Sequence, residues 1–130
     1  MKVYMQFAKG GKFELELLYE DAPKTCAAFM AMLPYHSGAL QARFSGNEFF
    51  FRMPLGVPQE NICVPKMFDL AFNSDEEQAI CIYYGINIRH ADPPYNRFAV
   101  VRGDAEELET VAMRIWKEGM EEVTVFAEEP

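Results

Sequence analysis

The segment from Lys12 to Arg52 constrains this chain most. Phe13, Leu15, Leu17 and Tyr19 alternate with Lys12, Glu14 and Glu16. That period of two gives a strand one buried face and one wet face. The next residues, Glu20-Asp21-Ala22-Pro23-Lys24-Thr25, open a helix. Asp21 is a good N-cap, and Pro23 suits the first turn, where its missing N–H has no helical partner. Ala22, Cys26, Phe29, Met30 and Leu33 then repeat at helical spacing, predicting a helix over 22–32 that Pro34 ends. Tyr35-His36-Ser37-Gly38 reads as a loop. Two strands follow, over 39–44 and 48–53, around Ser45-Gly46-Asn47. In the first of them Leu40, Ala42 and Phe44 face one way, and Gln41 and Arg43 the other.

The rest of the chain extends this pattern. Residues 2–8 alternate, and Gly10-Gly11 supplies the positive φ that a tight hairpin to the strand over 12–19 needs. Residues 54–66 carry three prolines and no periodicity, the signature of a crossing loop. Strands over 67–72 and 79–84 are joined by the polar turn Asn73-Ser74-Asp75-Glu76-Glu77, and a long loop covers 85–96. Long loops in small domains are often functional. After a strand over 98–102, a second helix spans 105–118. Asp104 and Glu107 have capping-box-like spacing, Leu108, Val111, Ala112 and Ile115 form its apolar stripe, and Gly119 suits its C-terminal cap. A last strand covers 123–127. About eight strands in short-turn succession, with two helices, predict a mainly β fold: a closed, mostly antiparallel eight-stranded barrel, with a sandwich as the alternative.

Composition narrows the function classes. The 130 residues fit one domain, 1–130, and half of them are hydrophobic. A net charge of −8 argues against nucleic acid, whose phosphates need clustered Lys and Arg. There is no run of about 18 apolar residues to cross a membrane. The N-terminus alternates like a strand and has no secretory apolar core. Cys26, Cys63 and Cys81 show no C-x-x-C spacing, which predicts reduced thiols and a cytoplasmic protein. The acidic run from Asp104 onward reads as a solvated helix face and tail, with a docking surface for a basic partner as the alternative. Eleven Phe, six Tyr and one Trp exceed what a small barrel core obviously holds and predict a homo-oligomer, with a dimer favoured.

Arg43 stands out as a candidate for chemistry. Its guanidinium could grip a carboxylate or other anion in an aromatic-lined pocket, or pair with Glu48 across the hairpin. Glu60, Asn61 and Asn96, in loops, could line that pocket or tie the loops by side-chain to backbone bonds. Tyr83 and Tyr84 alternate, so only one faces the interior, and a tyrosine at a pocket mouth offers an apolar face and a hydroxyl. The candidate ligand-binding set is therefore Arg43, Glu48, Asn61, Tyr84 and Asn96, with a small, possibly anionic molecule as ligand. His36 and His90, even with Asp92 or Glu48, match no metal-ligand spacing. No phosphate loop, dinucleotide fingerprint or Ser-His-Asp order is present, so neither metal nor cofactor is expected and catalytic residues are not assigned. Cys26 and Cys81 read as core, and Cys63 is the one candidate reactive thiol. The eight scattered methionines read as core filler.

Ala22-Pro23-Lys24-Thr25 with Phe29 resembles the A-P-x-T-x-x-x-F segment on the first helix of cyclophilins, eight-stranded barrels with peptidyl-prolyl isomerase activity. The chain is more similar still to a group of small bacterial cyclophilin-like proteins of uncharacterised function. That likeness is carried by Ala22-Pro23-x-Thr25, Leu33-Pro34, Ala42-Arg43-Phe44-Ser45-Gly46-Asn47-Glu48, Glu60-Asn61, Tyr84-Gly85, Asn96-x-Phe98-Ala99 and Trp116-x-Glu118-Gly119. It implies the barrel and a small-molecule site. True cyclophilins carry a phenylalanine-histidine-arginine segment and later a glutamine followed by two glycines, and this chain has neither. The bacterial group usually has His and Trp where this chain has Gln41 and Phe44, and Gly where it has Phe68. A prolyl isomerase and a ligand-free structural oligomer are the alternative functions.

Overall fold

The computed structural model describes residues 1–75, 78–88 and 95–128. In chain order the elements are β1 (Lys2–Phe7), β2 (Lys12–Leu17), α1 (Pro23–Ala31), β3 (Tyr35–Gln41), a 3₁₀ turn (Arg43–Ser45) and β4 (Gly46–Arg52). Then come β5 (Ile62–Cys63), β6 (Asp69–Asn73), β7 (Ala79–Ile88), β8 (Tyr95–Arg102), α2 (Ala105–Glu118) and β9 (Glu121–Glu128). The sheet runs β2-β1-β9-β3-β4-β7-β6-β8, and β8 returns to β2, closing eight strands into a barrel. Every pairing is antiparallel. Short β5 pairs with the start of β8, at Asn96 and Tyr95, and β2 pairs with its end, from Ala99 to Arg102. Closure removes the exposed edges that would template aggregation.

The barrel interior is aromatic. Phe13, Phe29, Phe49, Phe51, Phe72 and Phe98 are all fully buried. Each contributes about 1.5–3 kcal/mol relative to leaving it in water. Helix α1 packs on β8, with the Phe29 and Phe98 rings 5.3 Å apart. Helix α2 packs on β3 and β7 through Leu108, Val111, Ala112 and Ile115, as its stripe predicts. Asp104 caps α2 by accepting the Glu107 N–H at 3.1 Å, and Gly119 ends it. Gly10 and Gly11 take φ of 126° and 109° in the first hairpin, values a side chain would resist.

Several boundaries differ from the sequence reading. Asp21 does not cap α1. The N-cap residue is Ala22, with no side-chain cap of its own. Tyr35–Gly38 are strand rather than loop, because Tyr35–Ala39 pair with Val125–Glu121 of β9. Long-range pairing here overrides the weak strand propensity of His-Ser-Gly. The alternation predicted to continue to residue 44 stops at Gln41. Ser45 N–H donates to Ala42 C=O at 2.9 Å in the 3₁₀ turn, so Arg43 is not on a strand and Phe44 is 77% exposed. Strand β6 starts at Asp69, after a turn in which Phe68 has φ of 80°. Both ends of the loop expected over 85–96 are strand, and 89–94 lie outside the described residues. Ile88 still pairs with Gly46, and β8 begins at Tyr95, so Asn96 sits in a strand. The C-terminal strand starts at Glu121, two residues earlier than expected. His90, Asp92 and the Glu76-Glu77 part of the expected turn lie outside the described residues.

Candidate functional site

The predicted ligand residues fall into four places rather than one. Asn61 and Asn96 build the entrance to α1. Pro23 needs no partner at the first helical position, and the next two N–H groups, of Lys24 and Thr25, donate to the Glu60 carboxylate at 3.1 and 2.7 Å. The Thr25 hydroxyl donates to the same carboxylate at 2.8 Å. Glu60 thus does the work of an N-cap from a distant loop. Burial pushes its carboxyl up, but the Thr25 and Lys24 bonds outweigh that and hold it below the usual carboxylate range. Asn96, fully buried, locks the loop in turn. Its Oδ1 accepts the Glu60 and Asn61 N–H groups at 3.3 and 3.0 Å, and its Nδ2 donates to Thr25 Oγ1 at 2.9 Å. Asn61 Nδ2 donates to Arg97 C=O at 3.0 Å. These polar groups are spent on structure.

Tyr84 faces the barrel interior, where Gln41 Nε2 lies 3.3 Å from its hydroxyl and donates to Ala112 C=O at 2.6 Å. Tyr83 points to the other face, in a separate buried cluster with Ala71, Cys81 and Tyr95. Small Ala71, on the strand between, lets the Tyr83 and Tyr95 rings meet edge to face at 5.7 Å. Glu48, buried, stands opposite Tyr83 in the β4–β7 register. Burial, and then the Glu48 charge, push the Tyr83 hydroxyl and the Cys81 thiol far up, so both stay protonated. Burial also raises the Cys26 thiol to about 11 and lifts that of Cys63, which disfavours a reactive thiolate at either.

Arg43 is exposed, away from the interior phenylalanines, and forms no ion pair with Glu48 among the described residues. Its guanidinium lies 4.5 Å over the Trp116 ring of α2, a cation–π contact that fixes a long side chain. Beside it is a polar recess of about 230 Å³, lined by Arg43, Gly46, Asn47 and Asn87. Asn47 reaches across β7 and its Oδ1 accepts the Asn87 N–H at 3.0 Å. Gly85 makes room for that reach, since a Cβ there would sit 2.5 Å from Asn47 Oδ1. With its oxygen engaged, Asn47 retains its NH₂, a donor. Sequence reasoning singled out Arg43 but neither asparagine. Asn47 read as a turn residue and Asn87 as part of a loop.

The described residues hold no group of three metal-ligating side chains, and no helix among them is long and apolar enough to cross a membrane. A larger hollow, of about 650 Å³, lies on the outer face of β1, β9 and β3 around His36 and Thr124.

An antiparallel eight-stranded barrel closed through β2–β8, with α1 and α2 packed on it, is a cyclophilin-like barrel. Three solved structures share it. McbB in complex with tryptophan superposes with a TM-score of 0.81 at 20% identity, over 98% of this chain. The chain spans only 45% of McbB. The hypothetical protein AF2241 from Archaeoglobus fulgidus gives 0.70 at 25% identity, over 98% of this chain and 95% of its own. A Cryptosporidium parvum cyclophilin-type peptidyl-prolyl cis-trans isomerase, solved with the dipeptide Ala-Pro, gives 0.72 at 14% identity over the whole of both chains. No curated protein matches the sequence. Residues 7–126 match DUF3830, a family of unknown function, and the chain belongs to that family.

Proposed function

We propose that the protein binds a small anionic molecule, such as a carboxylic acid, through Arg43. The observation that carries this reading is the recess in which Arg43, Asn47 and Asn87 converge, with the guanidinium seated on Trp116. A planar guanidinium presents paired N–H donors that match a carboxylate, and side-chain amides can add donors around it. The recess has room for a small polar group, and exposed Trp116 and Phe44 offer apolar surface for an attached body. McbB, a barrel of the same fold, is described in complex with tryptophan, an amino acid with a carboxylate. Likeness to the isomerase is one of fold, and fold alone does not carry activity.

The test is a thermal-shift screen of small carboxylic acids and inorganic phosphate. A ligand of the folded state raises Tm by mass action. The shift is expected to vanish in Arg43→Ala and to weaken in Arg43→Lys, because an ammonium cannot reproduce the fork. Without ligand, Arg43→Ala is expected to cost only about 0.5–1 kcal/mol, the value of an exposed cation–π contact. A shift that survives Arg43→Ala, or no shift with any acid, refutes the proposal.

A further inference from the structure

The outer face of the barrel is treated in two ways. Around β2 its side chains pair by charge: Lys2 with Glu14 and Lys12 with Glu128, both at 3.7 Å, and Arg102 with Glu16. On the adjoining β1–β9–β3 stretch that pattern stops. Gln6, Thr124 and His36 share one row of the register, and Glu122 lies between Ala8 and Gly38 in the next. Those two small residues leave the hollow of about 650 Å³, whose floor is Thr124 and whose apolar walls include Met120 and Phe126. The volume lies within the range of small-molecule sites, about 300–1,000 Å³.

The polar groups here sort themselves. His36 Nδ1 and Thr124 Oγ1 bond each other at 2.9 Å. Glu122 is exposed and has no ion-pair partner among the described residues. Among the described residues of the lining it is the one Asp or Glu, and there is no Lys or Arg. Met120 lies across Gly38, where a Cβ would meet its Sδ at 2.6 Å and push this exposed side chain aside.

We propose that this hollow binds a small organic cation, a primary amine on an aryl or alkyl body. The ammonium meets Glu122, and the body lies between Met120 and Phe126. Charge decides the class: an unpaired carboxylate beside apolar walls attracts a cation and repels the anions suited to Arg43. The Phe126 ring supplies apolar surface only, since Lys12 Nζ already lies over it at 5.6 Å. This site is independent of the Arg43 recess, and either can fail alone.

The test is an amide NMR titration of the whole chain with 2-phenylethylamine and, separately, 3-phenylpropanoate, which share a body and differ in charge. The amine is expected to shift the resonances of Gln6, Gly38, Glu122 and Thr124, and the acid to leave them in place. Glu122→Gln is expected to weaken amine binding about fivefold, the worth of an exposed ion pair. Met120→Ala, at a residue 56% exposed, is expected to weaken it as well and tests the apolar wall without a buried change. Equal shifts from both probes overturn the proposal. So does no shift with the amine, or unchanged affinity in Glu122→Gln. Shifts of the same amides on dilution without probe would mark a second copy of the chain there, and would also overturn it.

Discussion

Replacing Glu60 should cost more than replacing Asp21, the residue beside the start of α1 that looks from the sequence like its cap. Its carboxylate takes the Lys24 and Thr25 N–H groups and the Thr25 hydroxyl, at 3.1, 2.7 and 2.8 Å. Loss of an N-cap costs about 0.5–2 kcal/mol, and loss of a negative charge at a helix N-terminus about 0.3–1 kcal/mol. Glu60 is partly exposed, which keeps the total near the middle of that range. Glu60→Ala should therefore cost about 2 kcal/mol and Glu60→Gln, which keeps one acceptor, about 1 kcal/mol. Asp21→Ala, exposed and without a cap bond, should stay within about 0.5 kcal/mol of wild type. Urea denaturation reads this directly. With a slope of about 1–3 kcal/mol/M, a loss of 2 kcal/mol lowers the midpoint by about 1 M. The effect has a pH signature. The folded-state carboxyl of Glu60 lies below its unfolded value, so its added stability is present above the ordinary carboxylate range. That stability is lost as pH falls through the folded value, and the wild type and Glu60→Ala should converge in acid. An Asp21→Ala loss as large as that of Glu60→Ala, or a gap that widens in acid, would show the assignment wrong.

Two further changes probe other parts of the molecule. Buried Glu121 accepts Arg114 Nε and Nη2 at 2.8 and 2.7 Å and the Lys9 N–H at 3.0 Å. Glu121→Ala leaves the part-buried guanidinium only its bond to the Gly10 C=O at 2.8 Å and should cost about 3 kcal/mol, with the Arg114→Met, Glu121→Leu double variant losing less than the two singles together. A single-variant loss below about 1 kcal/mol by urea denaturation would contradict this. Gly85→Ala places a Cβ against Asn47 Oδ1, so it should cost about 1–3 kcal/mol and reduce the acid-induced thermal shift at the Arg43 recess. Wild-type acid response in Gly85→Ala would separate Asn47 from ligand recognition.

The sequence disclosed what depends on near neighbours. The alternation of Phe13, Leu15 and Leu17, the stripe of α2, its Asp104 cap and the Gly10-Gly11 hairpin are each written within a few residues, and the structure has them. What was hidden is written across long separations. The pairing of His36 with Thr124 spans 88 residues and turns an expected loop into strand. Glu60 caps a helix 35 residues upstream, whereas the usual capping signal lies within three residues of the helix start, which is why Asp21 looked sufficient. The same reasoning bears on the candidate site. Alternation placed Arg43 correctly as distinct from Leu40 and Ala42, but it assumed a strand. The 3₁₀ turn instead swings the side chain onto Trp116, 73 residues on, and beside Asn87. A short polar side chain reads locally as a turn former, so Asn47 and Asn87 gave no sign of converging. The pairing of β4 with β7 supplies that convergence: its register, with an irregularity between Gly46 and Glu48, sets Asn47 over Gly85 and next to Asn87. The recess is thus a consequence of one register, and a change that shifts that register should abolish it without touching Arg43.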